Sequence, residues 1–301
     1  MITKVTTKHF KSFDDQSFDL SEHLVLAGPN NSGKTTLLQA IVVWYLAFQR
    51  WQERRGAKGS SAAKERIAVP ITRKDFTAIP LREMGLMWTN TQTALKKEEL
   101  SEGQKQGHPK AMSITLEGTS SSGDWKVTFE FRYSSSEQVY VKPSPDTIAD
   151  VPKVDGAFEV VHVPPFSGIG VEETRYDQKY QNLLIGQGKP GDILRNLLRE
   201  IFEERNGDWG EVQEIVQDIF GWRLLPPEYP GAFITCQYLP GIPNGKGDGG
   251  YPRLDISSAG SGFLQVLLIV AFIYARPATM LMLDEPDAHL HVVLQKQIYD
   301  R

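Results

Sequence analysis

Gly28-Pro29-Asn30-Asn31-Ser32-Gly33-Lys34-Thr35 is the stretch whose reading decides the fold. It fits G-x-x-x-x-G-K-[ST], the spacing of a loop that cradles phosphate. Four fixed positions match by chance in a chain of this length with a probability on the order of 1%, given glycine frequencies near ~7%. The flanks agree with the motif. His23-Leu24-Val25-Leu26-Ala27, just before it, is a short apolar run that predicts a buried strand, and residues 36–48 after it predict a buried helix. Strand, glycine loop and helix are what the chemistry needs, because backbone N–H groups of the loop and the helix start then face phosphate oxygens. Gly28 and Gly33 permit backbone angles and close approaches that a side chain blocks. Lys34 is placed to reach the β/γ-phosphates and the Thr35 hydroxyl to ligate Mg²⁺. Gly28, Asn30, Asn31, Ser32, Gly33, Lys34, Thr35 and Thr36 are therefore the candidate nucleotide-contacting residues.

Composition bounds the setting. With 301 residues, 40% hydrophobic and 23% charged, the chain suits a soluble globular protein of one large or two moderate domains. A net charge of −4 gives no global signature of nucleic-acid binding, so any such binding is local. The single cysteine, Cys236, excludes an internal disulfide, suits a reducing cytoplasm and reads as an ordinary core or strand residue. No Cys/His cluster has metal-ligand spacing. The first residues lack the apolar stretch of a signal peptide. The longest apolar runs, 37–48 and 263–275, fall short of the ~20 residues a membrane helix needs, so no membrane partner is implied.

Residues 2–27 read as two or three strands. Residues 50–110 break the pattern and read as a partly helical insertion. Its early part carries Arg50, Arg54, Arg55, Lys58, Lys64, Arg66, Arg73 and Lys74 against Glu53 and Glu65, which fits either a solvated face or a phosphate-backbone contact surface. Alternation of Met112, Ile114 and Leu116, then of Trp125, Val127, Phe129 and Phe131, predicts a hairpin or three-stranded antiparallel meander over 111–141, with a turn between Gly118 and Gly123. Residues 158–163 form a further strand, stopped by Pro164-Pro165. Residues 172–221 are helical, with apolar stripes at Ile193, Leu194, Leu197, Leu198, Ile201 and Phe202 and at Val212, Ile215, Val216, Ile219 and Phe220, N-caps at Asp192 and Asp208, and a stop at Gly221. Residues 232–238 and 251–256 read as strands joined by a glycine-rich connector over 241–250.

Thr279-Met280-Leu281-Met282-Leu283-Asp284-Glu285 is an apolar strand ending in two acids. Asp284 fits an acid that holds the Mg²⁺ shell, and Glu285 is placed to orient and deprotonate an attacking water. Between this strand and the glycine loop lies Ser257-Ser258-Ala259-Gly260-Ser261-Gly262, a small-residue run that opens the apolar helix at 263–275 as a second anion site. Here the sequence resembles the ABC-type P-loop ATPases, whose Ser-x-Gly signature loop precedes the Walker B strand by about this interval. Ser258 and Gly260 match the Ser and second Gly of that family's L-S-G-G-Q, and Ser257, Ala259 and Ser261 replace its Leu, first Gly and Gln. Pro286-Asp287-Ala288-His289-Leu290 matches the D-loop, with Asp287 as its nucleotide-side residue. Phe10-Lys11-Ser12-Phe13 ahead of GPNNSGKTTLLQAI resembles the chromosome-maintenance, RecF and OLD-like branch, and LDEPDAHLH is most similar to the OLD-like bacterial ATPases. The motifs cover 2–44 and 256–292.

The resemblance implies an α/β fold: an ABC-type ATPase head with a core sheet, a flanking antiparallel β region and a helical lobe. The implied division is 1–169 for the lobe with the glycine loop and β region, 170–225 for the helical lobe and 226–301 for the signature and Walker B part. It also implies ATP and Mg²⁺ as cofactors and a homodimer closed around two ATP molecules, the signature loop of one head touching the γ-phosphate held by the other. The implied role is ATP hydrolysis that drives or licenses action on DNA, in anti-phage defence or repair, with a nuclease or other effector in cis or in trans. Two departures stand out. Pro164-Pro165-Phe166 occupies the place of the family's Q-loop, leaving Gln187 as a substitute or as a helix–helix turn residue. No switch histidine follows, since His289 and His291 are too close to Asp284 and read as helix-packing or capping groups. The resemblance therefore expects the natural chain to continue past Arg301, for example into a TOPRIM nuclease, with an unusually short complete head as the alternative. Competing functions are a non-hydrolytic nucleotide switch that recruits an effector, a small-molecule kinase, which leaves Ser258 and Gly260 without a reason, and a transporter subunit.

Overall fold

A computed structural model describes residues 1–56, 67–76, 79, 81–100, 107–154, 158–243, 249–288 and 290. The fold is mixed α/β, as the sequence predicts, and the chain divides into two compact units, Met1–Val160 and Val161–Arg301.

The first unit is one sheet and one helix. Strands β1 (Ile2–Phe10), β2 (Phe13–Asp19), β3 (Val69–Thr72), β4 (Met112–Ser120), β5 (Gly123–Ser135) and β6 (Gln138–Pro143) form a six-stranded sheet in the order β2-β1-β4-β5-β6-β3, every neighbour antiparallel. The predicted meander is β4–β6, and its alternation works as a period-2 pattern should. Leu116 faces Val127, Ile114 faces Phe129 and Met112 faces Phe131, so one side of the sheet is continuously apolar and buried. Helix α1 (Lys34–Gly56) lies on that side through Leu37, Ala40, Ile41, Trp44, Ala47, Phe48 and Trp51, which recur at helical spacing and are all buried. Trp44 is the anchor: its ring stacks on Trp125 at 6.0 Å, meets Phe129 edge-on at 5.5 Å, and its indole N–H donates to Val127 O at 2.9 Å.

Three expectations change here. Residues 24–29 are irregular rather than a buried strand, with Leu24 47% and Val25 73% exposed. An apolar run becomes a strand only where a neighbouring strand accepts its hydrogen bonds, and none does so among the described residues. The turn between β4 and β5 is confined to 121–122, while Gly118 sits inside β4, where a Cβ would lie 2.4 Å from Met1 O and 2.6 Å from the Trp125 ring. The region expected as an insertion supplies β3, an edge of the main sheet, as well as short 3₁₀ turns.

The second unit packs helices around short strands. Strand β7 (Val160–Val163) pairs with β11 (Met280–Leu283), and β8 (Arg223–Leu224), β9 (Gln237–Leu239) and β10 (Leu254–Asp255) form a small antiparallel sheet. Both β9 and β10 are shorter than the runs 232–238 and 251–256 suggest. Helices α2 (Gln178–Gly186), α3 (Leu194–Glu204), α4 (Asn206–Phe220) and α5 (Ser261–Ala275) supply the core. Ile193, Leu194, Leu197, Leu198 and Ile201 are buried, as their stripe predicts, and α5 is apolar all round and correspondingly enclosed. Gly221 closes α4 in the left-handed region at φ 68°. Asp192 and Asp208 are not the N-caps. A 3₁₀ turn, Pro190–Ile193, absorbs Asp192 and runs straight into α3, and α4 has already begun at Asn206. A side-chain N-cap does form at Asp177, which accepts the Tyr180 N–H at 2.8 Å at the start of α2. No helix among the described residues is long and apolar enough to cross a membrane.

Because Trp44 combines full burial with a satisfied indole N–H, Trp44→Ala is expected to cost about 3–5 kcal/mol in urea unfolding. A loss below about 1 kcal/mol contradicts its place at the centre of the first unit.

Candidate functional site

The glycine loop turns on two left-handed residues, Asn31 at φ 64° and Gly33 at φ 98°. Asparagine is among the few residues that adopt this region readily. Gly33 has a second reason to lack a side chain: a Cβ there would lie 2.6 Å from Phe13 Cζ. The hairpin of β1 and β2 thus presses against the loop and fixes where α1 starts. Lys34 is the first residue of α1, and its ammonium folds back to donate to Gly28 O at 2.8 Å and Pro29 O at 3.0 Å. The first turn of α1 contains no acid, so its dipole is left to favour an external negative charge. Gly28, Asn30, Asn31, Ser32 and Thr35 are exposed, and Gly33, Lys34 and Thr36 half-buried.

In the second unit β11 ends at Leu283 and Asp284 follows it directly, as the apolar run predicts. Asp284 is buried, and its N–H donates to Val163 O at 3.0 Å, tying it to β7. The chain then leaves the strand through Glu285, which is exposed and adopts φ 51°. A non-glycine residue in the left-handed region is held there by its surroundings. The holder is Gln265 of α5, whose amide donates to Glu285 O at 3.1 Å and Pro286 O at 2.5 Å. Asp287 follows in the next turn, accepting from Leu290 N through its carbonyl at 3.0 Å. Ser258 and Gly260 lie just before α5, with Gly260 as its N-cap residue and Ser258 Oγ donating to Asp255 O at 2.7 Å. The structure thus joins the signature-like helix to the carboxylate turn within one unit, while residues 28–36 belong to the other. Gln187 is the exposed C-cap residue of α2, and His289 and His291 lie outside the described residues. Among the described residues no cluster of three or more His, Cys, Asp or Glu could hold a metal by itself.

Two family models match the sequence. One, described as "AAA domain", matches residues 4–146, and the other, described as "AAA domain, putative AbiEii toxin, Type IV TA system", matches residues 245–301. Both matches are to AAA domains, one over the glycine loop and one over the segment with Ser258 and Asp284. No curated protein matches the sequence. Solved structures of similar shape include an SMC head domain from Thermotoga maritima, 14% identical, covering 99% of this chain and 82% of that one at a TM-score of 0.46. Another is the recombination mediator protein RecF in the RecFOR pathway, 11% identical, covering 98% of this chain and 89% of that one at a TM-score of 0.46.

Sequence reading passes over four residues that the structure shows at work: Gln265, Glu173, Arg195 and Asp255. Their partners lie far off in the chain, so no local spacing announces them. Glu173 is buried and caps α3 from outside the helix, accepting Arg195 N at 2.9 Å, Asn196 N at 2.7 Å and Asn196 Nδ2 at 2.6 Å. Burial pushes its carboxyl up to about 7, against those hydrogen bonds and the Arg195 charge, which pull it down. His162 in β7 is buried with neither ring nitrogen hydrogen-bonded, and burial pushes it down to about 4. The single cysteine, Cys236, is buried as expected, which pushes its thiol up.

The signs of the two titrations oppose each other. Below the ordinary carboxylate range Glu173 is protonated in both states. As pH rises from about 4.5 to 7 the unfolded chain releases a proton that the native site keeps, so this contribution to stability falls. His162 contributes stability above about 6.5 that is lost as pH falls toward 4. Glu173→Gln is therefore expected to be most destabilising, relative to the parent, near pH 4.5 and least near pH 7. Urea unfolding of both proteins across this window checks it, and parallel stability curves contradict it.

Proposed function

We propose that the chain is an ABC-type ATPase head, which binds ATP with Mg²⁺, pairs with a second copy around the nucleotide and hydrolyses it. The observation that carries this reading is the glycine loop: a left-handed Gly33 with no room for a Cβ, opening a buried helix whose first turn has no acid. The AAA-domain matches on either side support it. The donor set fits the cofactor. A triphosphate suits the N–H-rich start of α1, and Lys34, now held by two neutral carbonyls, gains from exchanging them for charged oxygens. Magnesium asks for one or two protein oxygens alongside phosphate oxygens, which Thr35 and Asp284 can supply without a larger cluster.

The roles follow from chemistry. Lys34 and the loop bind the phosphates, with Asn30, Asn31, Ser32 and Thr36 lining the same turn. Bound magnesium would neutralise charge that builds on the phosphate oxygens. Glu285 accepts a proton from the attacking water, and Ser258, Gly260 and Asp287 face the nucleotide bound by the partner copy. ATP hydrolysis drives or licenses action on DNA, with a nuclease or other effector in cis or in trans, and the toxin–antitoxin description attached to residues 245–301 favours defence over repair. For the basic stretch, Arg50 pairs with Glu53 and Asp75, and Arg73 with Glu137, which favours a solvated face there. Lys58, Lys64 and Arg66 lie outside the described residues, and a DNA contact would rest on them and on Arg54 and Arg55.

Lys34→Ala is expected to abolish ATP binding measured by calorimetry, and unchanged affinity would remove the glycine loop from the site. Glu285→Gln separates binding from chemistry. Glutamine keeps the size but not the basicity, so turnover is expected to drop by ~10²–10⁴ while nucleotide binding survives. ATP should then hold the two copies together as a lasting dimer in light scattering. Full turnover in this variant places the base elsewhere.

A further inference from the structure

The loop before α5 is held from the helical part of its own unit. Asp255 is the residue that does the holding. Its Oδ1 accepts the Ser257 N–H at 2.8 Å and its main-chain carbonyl accepts Ser258 Oγ at 2.7 Å, closing the 3₁₀ turn Ile256–Ser258. The same Oδ1 accepts from Arg195 Nη2 at 2.8 Å. Arg195 is fully buried near the start of α3, and its other terminal nitrogen donates to Gly170 O at 2.8 Å. Its backbone N–H is fixed in turn by Glu173. The guanidinium is thus pinned from two sides, and it pins the carboxylate that shapes the turn.

Charge gives the pair a second purpose. Gly260 and the start of α5 have no side-chain cap and no acid in the first turn, so this helix start favours a negative ligand. An unneutralised carboxylate a few residues upstream would oppose that ligand. Arg195 offsets it from 2.8 Å, through a guanidinium that is itself buried while the carboxylate is partly exposed.

We propose that Arg195 and Asp255 are positioning residues for residues 257–260, fixing the turn and neutralising it so that it can meet the phosphate carried by a second copy of this chain. The pair makes the helical part of the second unit a determinant of how tightly two copies close. The inference rests on the ATPase-head reading for its consequence, though not for its geometry.

Asp255 is partly exposed, so its variants test the idea without emptying the core. Asp255→Ala removes the acceptor of Ser257 N–H and the partner of Arg195. Asp255→Asn keeps a carbonyl acceptor in the same place. In the nucleotide-free protein, hydrogen exchange of amides 256–260 is expected to rise at least about tenfold in Asp255→Ala and to return near the parent in Asp255→Asn, the size of effect one charge-assisted hydrogen bond gives. Affinity of the single copy for ATP is expected to stay unchanged, while ATP-induced dimerisation and kcat fall about tenfold or more in Asp255→Ala and recover at least partly in Asp255→Asn. Exchange at 256–260 in Asp255→Ala equal to the parent overturns the inference, as does normal dimerisation in that variant. A parent protein that neither binds nor hydrolyses ATP overturns instead the ATPase-head reading, and the exchange result then still decides the positioning claim.

Discussion

An α-helix begins with N–H groups that nothing inside the helix satisfies, and what this chain does with its helix starts governs the rest. Asp177 caps α2, the Glu173 carboxylate caps α3 from a distance, and α4 carries Asp208 in its first turn. Helices α1 and α5 are treated differently. Neither α1 nor α5 has an acid in its first turn, and both follow runs of small residues. Carboxylates thus cap two helix starts and sit in the first turn of a third, while two starts are left without one, and those two follow the glycine loop and residues 257–260. A neutral start costs each helix some of the ~0.3–1 kcal/mol an acid would contribute. The large apolar burial of both helices offsets that loss easily.

Burial also sets what each open start can tolerate. Around α1 the constraint is space: Phe13 fills the volume a Cβ at residue 33 would need. Around α5 the constraint is charge: Asp255 closes the turn and would repel an anion, and Arg195 cancels it. Steric exclusion at one loop and charge cancellation at the other reach the same end, a backbone surface that is positive and unencumbered. The requirement is shared, though no residue type is.

Local pattern made much of this legible. The glycine loop and the helix after it, the β4–β6 alternation, the α3 stripe and the strand that runs up to Asp284 all depend on residues within a few positions of one another, so spacing reports them. What depends on distant partners was not legible. The run 23–27 has the composition of a strand, but composition cannot supply a ladder, and Val25 lies open to solvent. Asp192 and Asp208 have cap chemistry two residues away from where the helices begin, while the cap of α3 comes from Glu173, far upstream. Arg195 reads as one more charge on an amphipathic helix until the fold brings Asp255 to it. Gln265 reads as a lone polar residue in an apolar run until β11 delivers two carbonyls.

Gln265 also shows why α5 matters mechanically. It lies one turn inside the helix, about 6 Å along the axis from Ser261 at 1.5 Å per residue. At that depth its amide holds the backbone of Glu285 and Pro286, and its own carbonyl has no hydrogen-bond partner. A buried unsatisfied acceptor is costly, so the amide cannot turn over without losing both bonds it makes. The left-handed Glu285 is therefore coupled to the register of α5, and α5 is coupled through residues 257–260 to Asp255 and Arg195. Between the two lies little more than one turn of helix, Ser261–Gln265, whose buried part begins at Phe263. The turn at Ser258 and the carboxylate turn after β11 thus meet the same end of α5, the first through the chain itself and the second through Gln265.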